Sequence, residues 1–170
     1  MTGRQTVLWI INAALIIGVA TVTALGGIQL IVKSRPAPTA LADQADLRQA
    51  VTDAAATNTV KIMTYSSDTI EQDLAAGLAV TTGAFADYYK NFTQQTVLPA
   101  ARQKNVKTTT TVVQSGVISI DNPVTAAALV FLNQVTTSTD NPDPSTSQSA
   151  VRVGLKKVDG QWRIDSFDPQ

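Results

Sequence analysis

The chain opens on an apolar run that no charge interrupts. Between Arg4 and Lys33 there is no Asp, Glu, Lys or Arg, and the stretch 7–32 shows no polar stripe. As a helix rising about 1.5 Å per residue, that stretch reaches roughly 39 Å. That is enough to cross a hydrocarbon core of about 30 Å with some tilt. Asn12, Thr21, Thr23 and Gln29 within it are neutral and can bond to backbone carbonyls or to a neighbouring helix. A cleaved signal peptide would carry a shorter apolar region of about 7–15 residues and a nearby small-residue cleavage site. The first Ala-x-Ala here, Ala40-Leu41-Ala42, lies well beyond the run, so the pattern predicts an uncleaved membrane anchor.

Pro36 and Pro38 then stop the helix. From about position 40 the apolar positions Leu41, Ala45, Leu47, Val51, Ala54 and Ala55 recur at helical spacing, opposite Asp43, Asp46, Arg48 and Asp53. This predicts a helix to about 64. Tyr65-Ser66-Ser67 breaks it, and Asp68-x-x-Glu71 reads as a capping box opening a second helix to about 79. Thr82 caps a third, in which Phe85, Tyr88, Tyr89 and Phe92 form one stripe and Pro99 forces a kink or a new turn before Lys104. From Val106 the period switches to two. Strands are predicted at 106–120, 124–137, 150–158 and 161–167, with a bulge at Gln114-Ser115-Gly116 and a hairpin at Asp159-Gly160. The second strand, apolar on both faces, is expected to be central, and 139–148, with two prolines, is expected to be a loop. The predicted architecture is α+β: a transmembrane helix, then three helices packed on a curved four-stranded antiparallel sheet. The predicted segments are a tail at 1–4, an anchor at 5–33, a linker at 34–39 and an extracytoplasmic domain at 40–170. Trp162 alternates with Ile164 and is expected beneath the helices.

Charge narrows the function. Arg4, Lys33 and Arg35 precede the domain, which leaves it 10 basic against 13 acidic side chains, a net of −3 with no basic run. That balance disfavours nucleic acid as a partner. Cysteine is absent, so disulfides, thiolate catalysis and thiolate metal sites are excluded. Histidine is absent too, which removes the usual general base near neutral pH and the commonest metal ligand. Arg4 with the amino terminus balances Lys33 and Arg35, so charge bias gives no orientation.

A curved sheet closed by helices forms a cone that could hold acid/base chemistry. Tyr65, Tyr88 and Tyr89 are the candidate donors, and Glu71, Asp73 and Asp87 the candidate bases, the pairing used in proton abstraction beside a carbonyl. Against that, acids in a first helical turn complement the dipole, and rings beside Asp87 suit core packing. A cone filled by Phe85, Phe92, Leu129, Phe131 and Trp162 would leave no room for a substrate. Asp140-Asn141-Pro142-Asp143 lacks the glycine and distal glutamate of a calcium loop. Asn91-Phe92-Thr93 falls in a helix and reads as a chance glycosylation match. No cofactor or metal is expected. In the anchor, Ala13, Ala20, Ala24 and Gly27 share one helix face, where small residues let another membrane helix approach closely.

Tyr65-Ser66, Asp73-Leu74, Thr82-Gly83-x-Phe85, Tyr89, the stretch 130–137 and the ending Gly160-Gln161-Trp162-Arg163-Ile164-Asp165 together resemble the Mce-associated membrane proteins of mycobacteria and related actinobacteria. The resemblance runs from anchor to C-terminus. It implies a single-pass inner-membrane protein with its C-terminal domain in the periplasm, folded as a nuclear-transport-factor/cystatin-like roll also seen in a type IV secretion assembly factor. It further implies no enzymatic activity and an accessory, stabilising role beside the permease and periplasmic subunits of Mce-type ABC lipid importers. Many relatives carry a long cytoplasmic N-terminal segment; only 1–4 precede the anchor here, so a partner through that tail is not expected. The alternatives are a small-ligand-binding or isomerase-like cone and a self-associating envelope scaffold, in which a homo-oligomer is possible.

Overall fold

The computed structural model describes residues 41–170, with side chains from 44 onward. The predicted anchor, the linker and the face of Ala13, Ala20, Ala24 and Gly27 lie outside the described residues, among which no helix is long and apolar enough to cross a membrane.

Helix α1 (Leu41–Met63) is the long element. Val51, Ala55, Asn58, Thr59, Ile62 and Met63 are its buried positions, and their spacing of three and four puts them on one side. The sheet receives its last carbonyl, since Thr110 Oγ1 donates to Met63 O at 3.0 Å, and Thr110 N–H donates to the hydroxyl of the following residue, Thr64, at 3.1 Å. A two-residue strand β1 (Tyr65–Ser66) follows, then α2 (Ile70–Ala79) and α3 (Gly83–Phe92). A π-helical turn at Thr93–Val97 leads into α4 (Leu98–Lys104), which ends on Asn105 in the left-handed conformation at φ 48°.

Strands β2 (Lys107–Asn122), β3 (Thr125–Ser138), β4 (Asn141–Val158) and β5 (Gln161–Pro169) complete a sheet ordered β1-β2-β3-β4-β5, each neighbour antiparallel. Asp159 (φ 51°) and Gly160 (φ 78°) form the two-residue β4–β5 turn with both dihedrals positive, as a twist-matched hairpin requires. The helices lie on one face. Val51 and Ala55 of α1 pack there with Ala128, Val130, Leu132, Val153, Leu155 and Ile164. Trp162 belongs to the same core at 8% exposure, in the phase its alternation predicts. A smaller cluster of Tyr65, Ile70, Val97, Ala101 and Val106 closes the α2–α4 end. The chain between α2 and α3 covers part of the β5 edge, since Thr82 N–H donates to Ile164 O and Ile164 N–H to Val80 O, both at 2.8 Å.

Four expectations need correction. The sheet has five strands rather than four, because Tyr65-Ser66 pairs with Lys107 and Thr108 instead of merely breaking a helix. The third helix becomes two: the π-helical turn accommodates Pro99, whose missing N–H and fixed φ suit the first turn of α4. The Asp68–Glu71 capping box does not form. Thr69 is the N-cap, and Asp73 accepts the Thr69 hydroxyl at 2.6 Å and the Ser66 N–H at 3.0 Å, while Glu71 pairs with Arg102. Finally, 139–148 is mostly strand. Asn141 pairs with Ser138 and Ser145 with Thr136, so Pro142, Asp143 and Pro144 stand opposite Thr137 alone. In such a bulge, on a strand whose far side is free, the ladder requires no N–H from either proline.

Candidate functional site

The predicted chemistry gathers at the end of the cone where α1, β1, α2 and α3 meet β5. Phe85 stacks on Phe167 at 6.1 Å between centroids, Tyr88 on Phe92 at 5.8 Å, and Phe85 lies 6.3 Å from both Tyr88 and Tyr89. Around these rings, with Ile62, Tyr65 and Leu74, a space of only about 20 Å³ remains. That holds roughly one water, not a substrate.

Burial raises the pKa of Tyr65, Tyr88 and Tyr89 above that of a free phenol, and Tyr89 is raised further by facing Tyr65 and the charge of Asp73. Tyr65, Tyr89 and Asp73 are therefore brought together, with Tyr88 at the rim. The carboxylates are otherwise occupied: Asp73 is spent on Thr69 and Ser66, Glu71 on Arg102, and Asp87 is exposed. Among the described residues, no carboxylate faces a phenol across a substrate-sized space, and no three acidic side chains converge in a way that could hold a metal.

The residues that carry the family resemblance occupy the seam between helices and sheet. Leu74 packs on the smaller cluster and Phe85 on the main core. Thr82 anchors the β5 edge through its backbone. Gly83 has φ 61°, which favours glycine, and a Cβ there would also displace the Asp165 carboxylate, 2.6 Å away. Trp162 offers its carbonyl to Asn58 Nδ2 at 2.8 Å and its ring to Lys157, whose Nζ lies 5.8 Å from the centroid. Each of these positions holds the roll together.

A second concavity lies on the opposite, helix-free face of the sheet. Sequence reasoning missed it, because it counts Phe131 among the side chains that would fill the cone, with Phe85, Phe92, Leu129 and Trp162. Instead Phe131 is 44% exposed. On β3 the even positions from Ala126 to Leu132 face the helices, while Leu129, Phe131, Asn133 and Val135 face away, and no second layer of described residues covers them. A bulge at Val113, one residue before the predicted one, shifts the β2 register so that Gln114 stands beside Phe131; Asn133 stands opposite Gln148. Val113, Gln114, Phe131, Asn133, Gln148 and Ser149 line a hollow of about 430 Å³. The available signal was arithmetic: helices on one side of a sheet cannot bury a strand that is apolar on both.

No family model matches the chain. The Mycobacterium tuberculosis uncharacterized protein Rv1362c is 47% identical over 116 residues, which cover 68% of this chain and 52% of that protein. The chain thus spans about half the length of that relative. The outer membrane protein Rv1973 of the same species is 34% identical over 130 residues, covering 76% of this chain and 80% of that protein. Among solved structures, an IcmL-like type IV secretion system protein from Legionella pneumophila superposes with a TM-score of 0.60 at 12% identity, covering 72% of this chain and 91% of that one. The VirB8 protein of Agrobacterium tumefaciens gives 0.57 at 13%, covering 79% and 96%. At such identities the likeness is one of fold.

Proposed function

The chain belongs to the same family as the mycobacterial outer membrane protein Rv1973, and from that premise we propose that it is a non-catalytic accessory subunit of an Mce-type ABC lipid importer. The apolar stretch 7–32 anchors it, and the α+β domain works in the periplasm on the importer's Mce assembly. The observation that carries the non-catalytic reading is the fate of the candidate acids and phenols. They are packed, paired or exposed around a void of about 20 Å³, so what the domain offers a partner is surface. The importer as partner is supported by the order and spacing of the motifs from Tyr65 to Asp165.

The description of Rv1973 refers to the outer membrane. A single apolar stretch of this length suits the inner membrane, since outer-membrane spans are closed barrels and the sheet of the described residues runs from β1 to β5 without closing. Affinity purification at native expression in a mild detergent should recover permease or Mce subunits. Recovery of the chain alone would overturn the reading. If Ala13, Ala20, Ala24 and Gly27 form the contact face, Ala20→Phe or Gly27→Leu weakens that recovery, whereas Val22→Phe, on the opposite side of the helix, does not.

The second reading, a self-associating envelope scaffold, is favoured by the likeness to type IV secretion proteins. Light scattering of the purified full chain in micelles separates the two: the scaffold forms a defined homo-oligomer without any importer subunit.

A further inference from the structure

We propose that the helix-free face of the sheet is a binding platform for a neutral sugar, centred on Phe131. The ring is 44% exposed on the central strand β3, and Val135 on the same face is 38% exposed. Its cross-strand neighbours are Gln114 on β2 and Ala150 on β4, and the next position on the same face, Asn133, stands between Thr111 and Gln148. Ala150 contributes only a methyl group, which leaves room beside the ring. The resulting hollow, about 430 Å³, falls within the range of roughly 300–1,000 Å³ typical of small-molecule sites.

The lining selects the ligand. A pyranose presents a face of C–H bonds, which stacks on an aromatic ring, and a rim of hydroxyls, each both donor and acceptor. A primary amide answers both needs from one group. Gln114, Asn133 and Gln148 supply three, and among the described residues none of these amides is bonded to another protein group. No ionisable side chain lines the hollow; Arg152 stands one row away, opposite Leu129. A phosphate, carboxylate or metal ion therefore finds no counter-charge in the lining itself, and Arg152 stands beside the acidic Asp168 of β5. An acyl chain would strip water from three amides and return no hydrogen bond. A second copy related by a two-fold axis would set hollow against hollow.

The proposal is independent of the importer reading, since sugar binding and importer recovery are measured separately. The test is saturation-transfer NMR on the full chain in lauryldimethylamine oxide micelles, which carry no sugar headgroup. The probes are maltohexaose, mannotriose and tetra-N-acetylchitotetraose, each at up to roughly 10 mM, so that binding as weak as about millimolar is detected. At least one should receive saturation at its ring C–H protons. Phe131→Ala should abolish the transfer, Phe131→Tyr should retain it, and Gln148→Ala should weaken binding roughly tenfold through one lost hydrogen-bonding group. All three variants alter exposed side chains and should keep the parent's thermal unfolding profile. Absence of transfer from all three probes overturns the proposal, as does transfer that survives Phe131→Ala. Self-association that Phe131→Ala erases would overturn it too, identifying the face as an interface between copies.

Discussion

Gly77 on α2 admits the Tyr89 side chain into the seam between helices, and replacing it tests how tightly that seam is packed. A Cβ at position 77 would fall on the Tyr89 hydroxyl, 2.9 Å from Tyr89 Cζ and 3.3 Å from the Lys61 carbonyl oxygen. In an isolated helix Gly→Ala gains about 1 kcal/mol. Here the added methyl overpacks a buried site, at a cost of roughly 1–3 kcal/mol, so Gly77→Ala should destabilise by up to about 2 kcal/mol. Tyr89→Phe removes the first atom in the way. Its hydrogen bond to Ile62 O is long at 3.4 Å, so that change alone should cost less than about 1 kcal/mol. In the double variant the ring edge, at 2.9 Å, must still yield, by roughly half an ångström, but the largest part of the overpacking disappears.

The cycle should show a favourable coupling of about 1–2 kcal/mol, far outside the ~0.3–0.5 kcal/mol scatter of independent sites. Thermal unfolding of the full chain in micelles reads this directly, at about 4 °C per kcal/mol for a domain of this size. Additive single effects, or a stabilising Gly77→Ala, would refute the packing argument.

Trp162→Ala should cost about 3–5 kcal/mol as a core truncation. Trp162→Phe should cost under about 1.5 kcal/mol, because the indole N–H it removes is buried without a partner; denaturant unfolding ranks the two. In a Trp9→Phe background, Trp162 emission should be blue-shifted, and a water-exposed spectrum would mean the β5 phase is wrong. Asp73→Asn should lose about 1 kcal/mol through its bonds to Thr69 and Ser66, whereas Glu71→Gln should change stability by less than about 0.5 kcal/mol, both read as unfolding midpoints. Stability should also fall at alkaline pH. Burial raises the folded-state pKa of Tyr65, Tyr88 and Tyr89 above the unfolded value near 10, so the unfolded chain releases protons first. Their contribution is intact below about pH 10 and is lost as pH climbs toward the folded-state values; unfolding midpoints across that range would show it.

Local rules read most of this fold from sequence. Helix α1 begins and ends within a residue of its pattern, the Asp159-Gly160 turn has the dihedrals its residues require, and Trp162 and Ile164 share the buried face. The misses arise where two rules compete at one position. Asp68 and Glu71 match a capping box, but Asp73 reaches the same region, and only the tertiary position of Ser66 makes it the acceptor. Two prolines in 142–144 favour a loop until a bulge on a free edge makes their missing donors harmless. The same holds for the site. Tyr65, Tyr88, Tyr89, Glu71, Asp73 and Asp87 are legible as candidates, but which of them meet, and whether they open a chamber or fill one, depends on distances between helices that no periodicity records. The Phe131 hollow depends on a bulge at Val113 that sets which residues share a row.

The two sheet edges bear on what kind of partner the domain can take. A strand with unpaired backbone groups invites another strand, and natural sheets blunt such edges. Beyond the β1 pairing, β2 is interrupted by register shifts after Val112, after Val117 and after Ile120, and Val113 and Ile118, skipped by the register, are the most exposed large apolar residues described, at 64% and 51%. Each shift breaks the straight run of donors and acceptors that an added strand needs. On the other side, β4 runs past β5 from 141 to 149, with Pro142, Asp143 and Pro144 at its tip. Gln170 N–H donates to Ala150 O at 2.9 Å, so even-numbered residues here turn their backbone groups outward. In the regular stretch that leaves Thr146 and Gln148 as the outward donors, too few for a stable added strand. Along these two stretches an added strand is therefore disfavoured, and the faces are the broader surfaces left to a partner. One face is closed by its own helices, and the other carries the uncharged row of Gln114 and Phe131.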